Sequence, residues 1–317
     1  MEDGARAGTP APLRRRRLGL TEATALSPDR ARRFRQRLLE WGAHHRRDLP
    51  WRRTRDPWRI LVSEVMLQQT QVDRVVPHYE RFVEAFPTPT ACAATGSAEV
   101  VRRWSGLGYN RRGLNLHRAA EDIVDRHGGT VPETDAALRA LPGVGPYTAR
   151  AVRSFGFGQD VAAADTNGVR VLARSVVGAR LTGPAAFALG DRLVPPGGSW
   201  EFNQTMFDLG ATVCTAARPD CARCPLRRQC TWRRLGGDDP WRASPAARRQ
   251  GAFAGSDRQG RGRLLEALRR GDVEARALGA ACGWPDDVAR ANRVATALAE
   301  EGFARWSSGE GRVLRLR

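Results

Sequence analysis

Four cysteines fall within 17 positions, as Cys214-x6-Cys221-x2-Cys224-x5-Cys230, while the rest of the 317-residue chain holds only Cys92 and Cys282. This quartet constrains the fold more than any other feature. A chain of this length buries about 75% of its unfolded surface and needs no covalent staples. Four thiols on one short, loop-rich segment therefore read as a ligand set rather than a disulfide framework. Their number suits either structural zinc or an iron–sulfur cluster, and generic chemistry leaves both open. Cys92 and Cys282 read as small apolar residues of a core. The usage implies a reducing, cytoplasmic setting.

Around the quartet the pattern is helical. Ser27 reads as an N-cap, with Pro28 at the first helical position and Phe34, Leu38, Leu39 and Trp41 on one face. Further helices are expected near 57–71, 73–86, 97–105, 110–126, 134–140, 145–157 and 165–177, punctuated by segments such as Phe86-Pro-Thr-Pro and Gly128-Gly129. Residues 1–27, with the run Arg14–Arg17, read as a disordered basic tail, and 236–260 as a polar linker. The remaining 261–317 read as three helices followed by a hairpin, a winged-helix-like module.

The formal net charge is +18, and every positive side chain is arginine, because the chain contains no lysine. Such an excess attracts a polyanion. The missing lysine excludes a lysine Schiff base as the nucleophile. No apolar run reaches the roughly 18 residues that span a bilayer, and the first residues lack the apolar stretch of a secretory signal.

Two further signals carry chemistry. Leu141-Pro-Gly-Val-Gly-Pro-Tyr-Thr-Ala-Arg places a Pro-Gly turn between two helices and a proline at the start of the second. Exposed N–H groups at such a helix start suit a DNA phosphate, although an ordinary tight turn would have the same look. Glu64 lies in Trp58-Arg-Ile-Leu-Val-Ser-Glu-Val-Met-Leu, a helix apolar on nearly every face, so its carboxyl should be buried and able to hold a proton. Asp165 reads in isolation as a helix N-cap. Together the two could serve as acid and electrostatic stabiliser in a glycosidic cleavage.

These signals, in this order, resemble the helix-hairpin-helix/Gly-Pro-Asp DNA glycosylases that carry an iron–sulfur cluster, and are most similar to the MutY-type adenine DNA glycosylases. The resemblance covers about residues 30–235. Its motifs are Leu49-Pro-Trp-Arg, Ser63-Glu-Val-Met-Leu-Gln-Gln-Thr-Gln-Val, Gly106-Leu-Gly-Tyr, Asn115-Leu-His, the hairpin, Phe202-Asn-Gln and Leu209-Gly-Ala-Thr-Val-Cys. It implies an all-α, two-lobed fold, with a cluster lobe at 28–52 plus 159–235, a helical-barrel lobe at 53–158 and the active site between them. It implies a [4Fe–4S] cluster on Cys214, Cys221, Cys224 and Cys230. Glu64 would protonate the adenine ring, Asp165 would stabilise the cationic sugar, and Asn167 would hold Asp165. Tyr147 would stand where the endonuclease III enzymes carry their Schiff-base lysine, so a monofunctional enzyme is expected. Trp51 and Arg52 would line the adenine pocket. Leu67, Gln68, Gln69 and Tyr109 would lie at the base stack, and Leu141, Gly143, Val144, Gly145 and Thr148 at the DNA.

The sequence departs from that pattern in three places. Asn110 replaces a second tyrosine, Asp165 is followed by Thr-Asn-Gly-Val-Arg rather than Gly-Asn-Val-x-Arg, and no Nudix-like domain is visible, as in the shortened actinobacterial forms. The expectation is a monomeric, nucleoid-associated enzyme that releases adenine opposite 8-oxoguanine or guanine in mispaired double-stranded DNA. The alternatives are a thymine or uracil mismatch glycosylase of the same fold and a non-catalytic iron–sulfur DNA-binding protein. Arg218, Arg223, Arg227 and Arg228 are expected to contact phosphate unless they form only a solvated basic surface.

Overall fold

A computed structural model of the chain describes residues 26–241, 252–308 and 311–317. The expected tail at 1–27, apart from Leu26 and Ser27, lies outside the described residues, as do 242–251 of the expected linker. Ser27 caps α1 (Pro28–His45) by accepting from the Arg30 N–H. A 3-10 turn (Pro50–Arg52) leads to α2 (Pro57–Leu67), capped by Asp56, and then α3 (Val72–Ala85). There follow α4 (Pro89–Ala94), α5 (Ser97–Arg103), α6 (Arg111–His127), α7 (Asp135–Ala140) and α8 (Pro146–Phe155). Next come α9 (Thr166–Leu172), which continues as a π turn at Ala173–Val177, α10 (Gly183–Asp191), α11 (Ser199–Thr212) and α12 (Thr231–Leu235).

Two apolar cores make two lobes. The first gathers the inner faces of α2 to α8 around Trp58, Met66, Phe82, Trp104 and Leu116. Leu49 and Trp51 join it, although the sequence reading assigned 28–52 to the other lobe. The second core packs Phe34 and Leu38 of α1 against α9, α10 and α11 through Val171, Leu189, Phe202 and Leu209. Leu39 and Trp41 are half-buried at its edge.

The lobes meet along the extended segment 161–165. Successive side chains of extended backbone point to opposite faces. Ala163 packs into the first core, while Ala162 and Ala164 pack into the second. Asn203 of α11 pins this segment. Its Oδ1 accepts from Ala163 N at 2.9 Å, and its Nδ2 donates to the Val161 carbonyl at 2.9 Å and to Ser154 Oγ at 3.0 Å. Asp165, at the end of the segment, is thereby delivered to the seam.

The C-terminal unit contains α13 (Asp257–Arg270), β1 (Val273–Glu274), α14 (Leu278–Cys282), α15 (Val288–Glu300), β2 (Ala304–Trp306) and β3 (Val313–Leu316). Its antiparallel sheet has the order β1-β3-β2, with Val273 opposite Leu314 and Ala304 opposite Leu316. β1 is additional to the three helices and hairpin expected from the sequence; at two residues it carries no readable alternation. The unit's core, built on Leu264, Leu268, Leu278 and Leu298, takes in Val101 of α5 and Leu114 of α6, so it is fused to the first lobe. Among the described residues no helix is long and apolar enough to cross a membrane.

Candidate active site

Glu64 sits on α2, which is buried on all sides from Ile60 to Met66, and the residue is 5% exposed. Burial pushes its carboxyl up from 4.5 to about 7. The charge of Asp165 acts in the same direction, while a hydrogen bond with Tyr147 and the charge of Arg52 oppose it. Near neutrality, much of Glu64 therefore carries a proton.

Tyr147 is the second residue of α8, immediately after the hairpin turn, and its ring packs on Phe207 at 6.3 Å between centroids. Burial and the two carboxylates hold its phenol well above the usual range. It therefore stays protonated and acts as a donor to Glu64 rather than as a nucleophile.

Asp165 is the N-cap of α9. Its Oδ1 accepts from Gly168 N at 2.7 Å and its Oδ2 from Asn167 Nδ2 at 2.7 Å. Burial raises its carboxyl, and these donors together with Arg170 pull it back. The network continues outward: Arg170 Nη2 donates to Asn167 Oδ1, and its Nε to the Cys214 carbonyl, each at 2.7 Å. Gly210 lets α11 approach this network, because a Cβ there would stand 2.6 Å from Asn167 Cβ. The structural N-cap role and the candidate chemical role of Asp165 thus coincide in one side chain.

Arg52 is placed differently from the sequence reading. Its buried guanidinium is committed to Asp208 through a bidentate pair at 2.7 and 3.0 Å, with a third bond to the Arg47 carbonyl at 2.8 Å. Arg47 Nε also donates to Asp208, at 2.6 Å. Arg52 therefore acts on Glu64 through its charge rather than as an open pocket wall. Trp51 is buried edge-on against Tyr79, with ring centroids 5.4 Å apart.

In the hairpin turn most of the expected DNA-facing residues turn their side chains inward. Leu141, Val144 and Thr148 are buried, because they lie on the inner face where α7 and α8 close on the first core. Gly143 adopts φ +81°, which the turn requires, and is exposed. A Cβ on Gly145 would meet only open space, so no intramolecular packing demands glycine there. Leu141, Val144 and the two glycines therefore have only backbone to offer a ligand here.

Two exposed loops are tied to the end of α2, the helix that carries Glu64. Gln69 (φ 54°) and Tyr109 (φ 45°) are the non-glycine residues with left-handed backbone among the described residues, a conformation that costs about 1 kcal/mol apiece. Both are exposed, Tyr109 by 54%. Buried Arg112 ties their loops together, donating to the carbonyls of Val65, Met66, Gln68, Leu107 and Gly108 at 2.6–3.2 Å. Leu67 is half-buried against the first core, and Gln68 ends α2.

The four clustered cysteines are free thiols and line one cavity together with Val171, Leu209, Val213 and Leu226. Arg174 Nη1 donates to Cys214 Sγ at 3.4 Å. Burial raises the Cys214, Cys224 and Cys230 thiols, Cys224 to about 12, so a cationic occupant is needed to keep them as thiolates. Among the described residues no three His, Cys, Asp or Glu groups converge closely enough for a single metal ion. Arg218, Arg223, Arg227 and Arg228 stand exposed around this loop.

Residues 62–181 match the HhH-GPD superfamily of base excision DNA repair proteins. The chain is 43% identical over 271 residues to the adenine DNA glycosylase of Mycolicibacterium smegmatis, covering 84% of this chain and 90% of that one. The chain belongs to the adenine DNA glycosylase family. The human adenine DNA glycosylase is 42% identical over 211 residues, but they make up only 39% of its length. Among solved structures, a thermostable thymine-DNA glycosylase aligns with a TM-score of 0.62 and 30% identity, covering 69% of this chain and all of that one. A trapped endonuclease III–DNA intermediate, at 23% identity and TM-score 0.58, shares the fold.

Several side chains that hold this site together in the adenine DNA glycosylase family member give no local signal in the sequence. Asp208 and Asn203 lay inside or beside quoted motifs, but their partners are more than 35 positions away in the chain. Arg112 gave no signal among so many arginines.

Proposed function

We propose that this base-excision DNA glycosylase removes adenine mispaired with 8-oxoguanine or guanine and leaves the strand uncut. The observation that carries the reading is the buried Glu64, poised near neutrality between Tyr147 and Asp165. Extruding the adenosine costs a few kcal/mol, and wedge side chains offset part of this. The exposure of Gln69 and Tyr109 on strained loops supports a role for both in entering the stack near the opposing base.

Protonated Glu64 delivers its proton to a ring nitrogen of the extruded adenine. The glycosidic bond then breaks, with its electron pair leaving on the base. The Asp165 carboxylate, fixed by Asn167 and the Gly168 N–H, faces the positive charge that develops on the sugar. Water adds to the sugar carbon, and its released proton returns to the Glu64 carboxylate. Tyr147 donates to Glu64 and orients it. With no lysine in the chain, no side-chain amine is available to form a Schiff base and cut the strand.

The cavity lined by the four thiols supports a [4Fe–4S] cluster held by Cys214, Cys221, Cys224 and Cys230. When bound, it would stabilise the loop that carries Arg218, Arg223, Arg227 and Arg228, which we assign to phosphate contacts. The backbone N–H groups at the start of α8 supply a further phosphate site.

The test is a single-turnover excision assay on duplexes with A opposite 8-oxoguanine, A opposite G, T opposite G and U opposite G, read before and after alkali. Adenine release that becomes a strand break only with alkali is expected. Release of T or U with adenine untouched would keep the fold and overturn the substrate.

A further inference from the structure

The C-terminal unit docks on both helices that flank the Tyr109 loop. Val101 of α5 and Leu114 of α6 lie in its core. Glu301 pairs with Arg111 at 2.5 Å, and its carbonyl accepts from Arg118 at 2.9 Å. Between these two helices the unit touches the loop itself. Ser105 Oγ donates to Glu266 at 3.2 Å, and Arg269 Nη2 donates to Asn110 Oδ1 at 2.8 Å while its Nε holds the Val101 carbonyl at 3.0 Å.

Asn110 is the telling residue. An asparagine preceding a helix ordinarily turns its side chain back to cap that helix. Here it sits in helical φ/ψ, makes no capping bond and faces Arg269 instead. Its immediate neighbour is Tyr109, whose left-handed backbone survives only where its surroundings hold it. Arg112 grips the loop from inside the first lobe, and α13 grips it from outside.

We propose that the C-terminal unit is a brace: through Arg269 and Asn110 it fixes the loop that presents Tyr109 to the base stack. Arg269 and Asn110 are thus positioning residues for recognition of the mispair. This rests on the wedge role assigned to Tyr109 above, and it gives the unit a part in lesion recognition without direct contact to the lesion.

The test uses full-length protein and a duplex with adenine opposite 8-oxoguanine. A 2′-fluoro sugar blocks cleavage, and a neighbouring 2-aminopurine brightens when the stack opens. Asn110→Ala leaves the other Arg269 bonds in place, so the unit stays docked. It should weaken binding by about threefold to tenfold and damp the fluorescence rise. Asn110→Asp keeps an acceptor for Arg269 and should retain both signals. Arg269→Ala, which also gives up the Val101 carbonyl and Glu266, should lose at least as much as Asn110→Ala. Parent-like behaviour of Asn110→Ala alongside a clear loss in Tyr109→Ala overturns the brace and leaves the wedge standing. Equal losses in Asn110→Ala and Asn110→Asp also overturn it. No loss in Tyr109→Ala overturns the wedge, and the brace with it.

Discussion

Replacing Glu64 by glutamine separates the two consequences of its burial. The carboxyl titrates near 7 in the fold against 4.5 unfolded. A raised carboxyl pKa means that its contribution is fully present below about 4.5 and is lost as pH rises through 7. At pH 8, a carboxyl that titrates near 7 rather than 4.5 carries a penalty of about 3 kcal/mol for burying its charge. At pH 5 the same treatment leaves a penalty of about 1 kcal/mol. Glutamine has nearly the same shape, can still accept from Tyr147 and carries no charge. Glu64→Gln should therefore gain about 2 kcal/mol more stability relative to the parent at pH 8 than at pH 5, while adenine excision disappears. Urea unfolding of both proteins across that pH range measures the first effect, and single-turnover excision the second. Parallel stability profiles for the two proteins would show that Glu64 does not titrate near neutrality, and the general-acid argument would fail with it. Substantial excision by Glu64→Gln would remove the proton-donor role outright.

Excision by the parent should fall about tenfold per pH unit above 7, as Glu64 loses its proton, a slope that a pH series of single-turnover rates will show. Gly210→Ala drives a methyl against Asn167 and should slow excision by about a hundredfold by displacing Asp165, with far-ultraviolet circular dichroism unchanged. Cys224→Ser should abolish the visible iron–sulfur absorption and lower the bound iron, checked by spectrum and metal analysis on protein purified without oxygen. Arg223→Ala should reduce the salt dependence of duplex binding by about one phosphate contact, read from the slope of log affinity against log salt.

Much of this was legible because it is local. The unbroken apolar character of α2 announced that Glu64 is buried, and Ser27 and Asp165 announced their helix starts through chemistry within three positions. The hairpin glycine at 143 declared a turn that only positive φ allows. What stayed hidden was mostly long-range. Nothing near Asp208 says that Arg47 and Arg52 will converge on it, and that pairing is what turned Arg52 from a pocket wall into a buried charge. Thr148 looked available because it is polar and follows the turn, but helical geometry points it inward beside Ala149. The helix α4 is only six residues long, too short for its period to register.

The three alanines at 162–164 have a consequence for how the cleft is dimensioned. Each offers a single methyl to one lobe or the other, and Gly190 of α10 abuts Ala162 so closely that a Cβ there would collide with it. The seam is therefore a spacer of minimal thickness, a gauge that sets how far Glu64 stands from Asp165. Enlarging one of these methyls would change the reach between acid and carboxylate without touching either group. Tolerance for substitution should accordingly be low at these three alanines as well as at the two acids they separate.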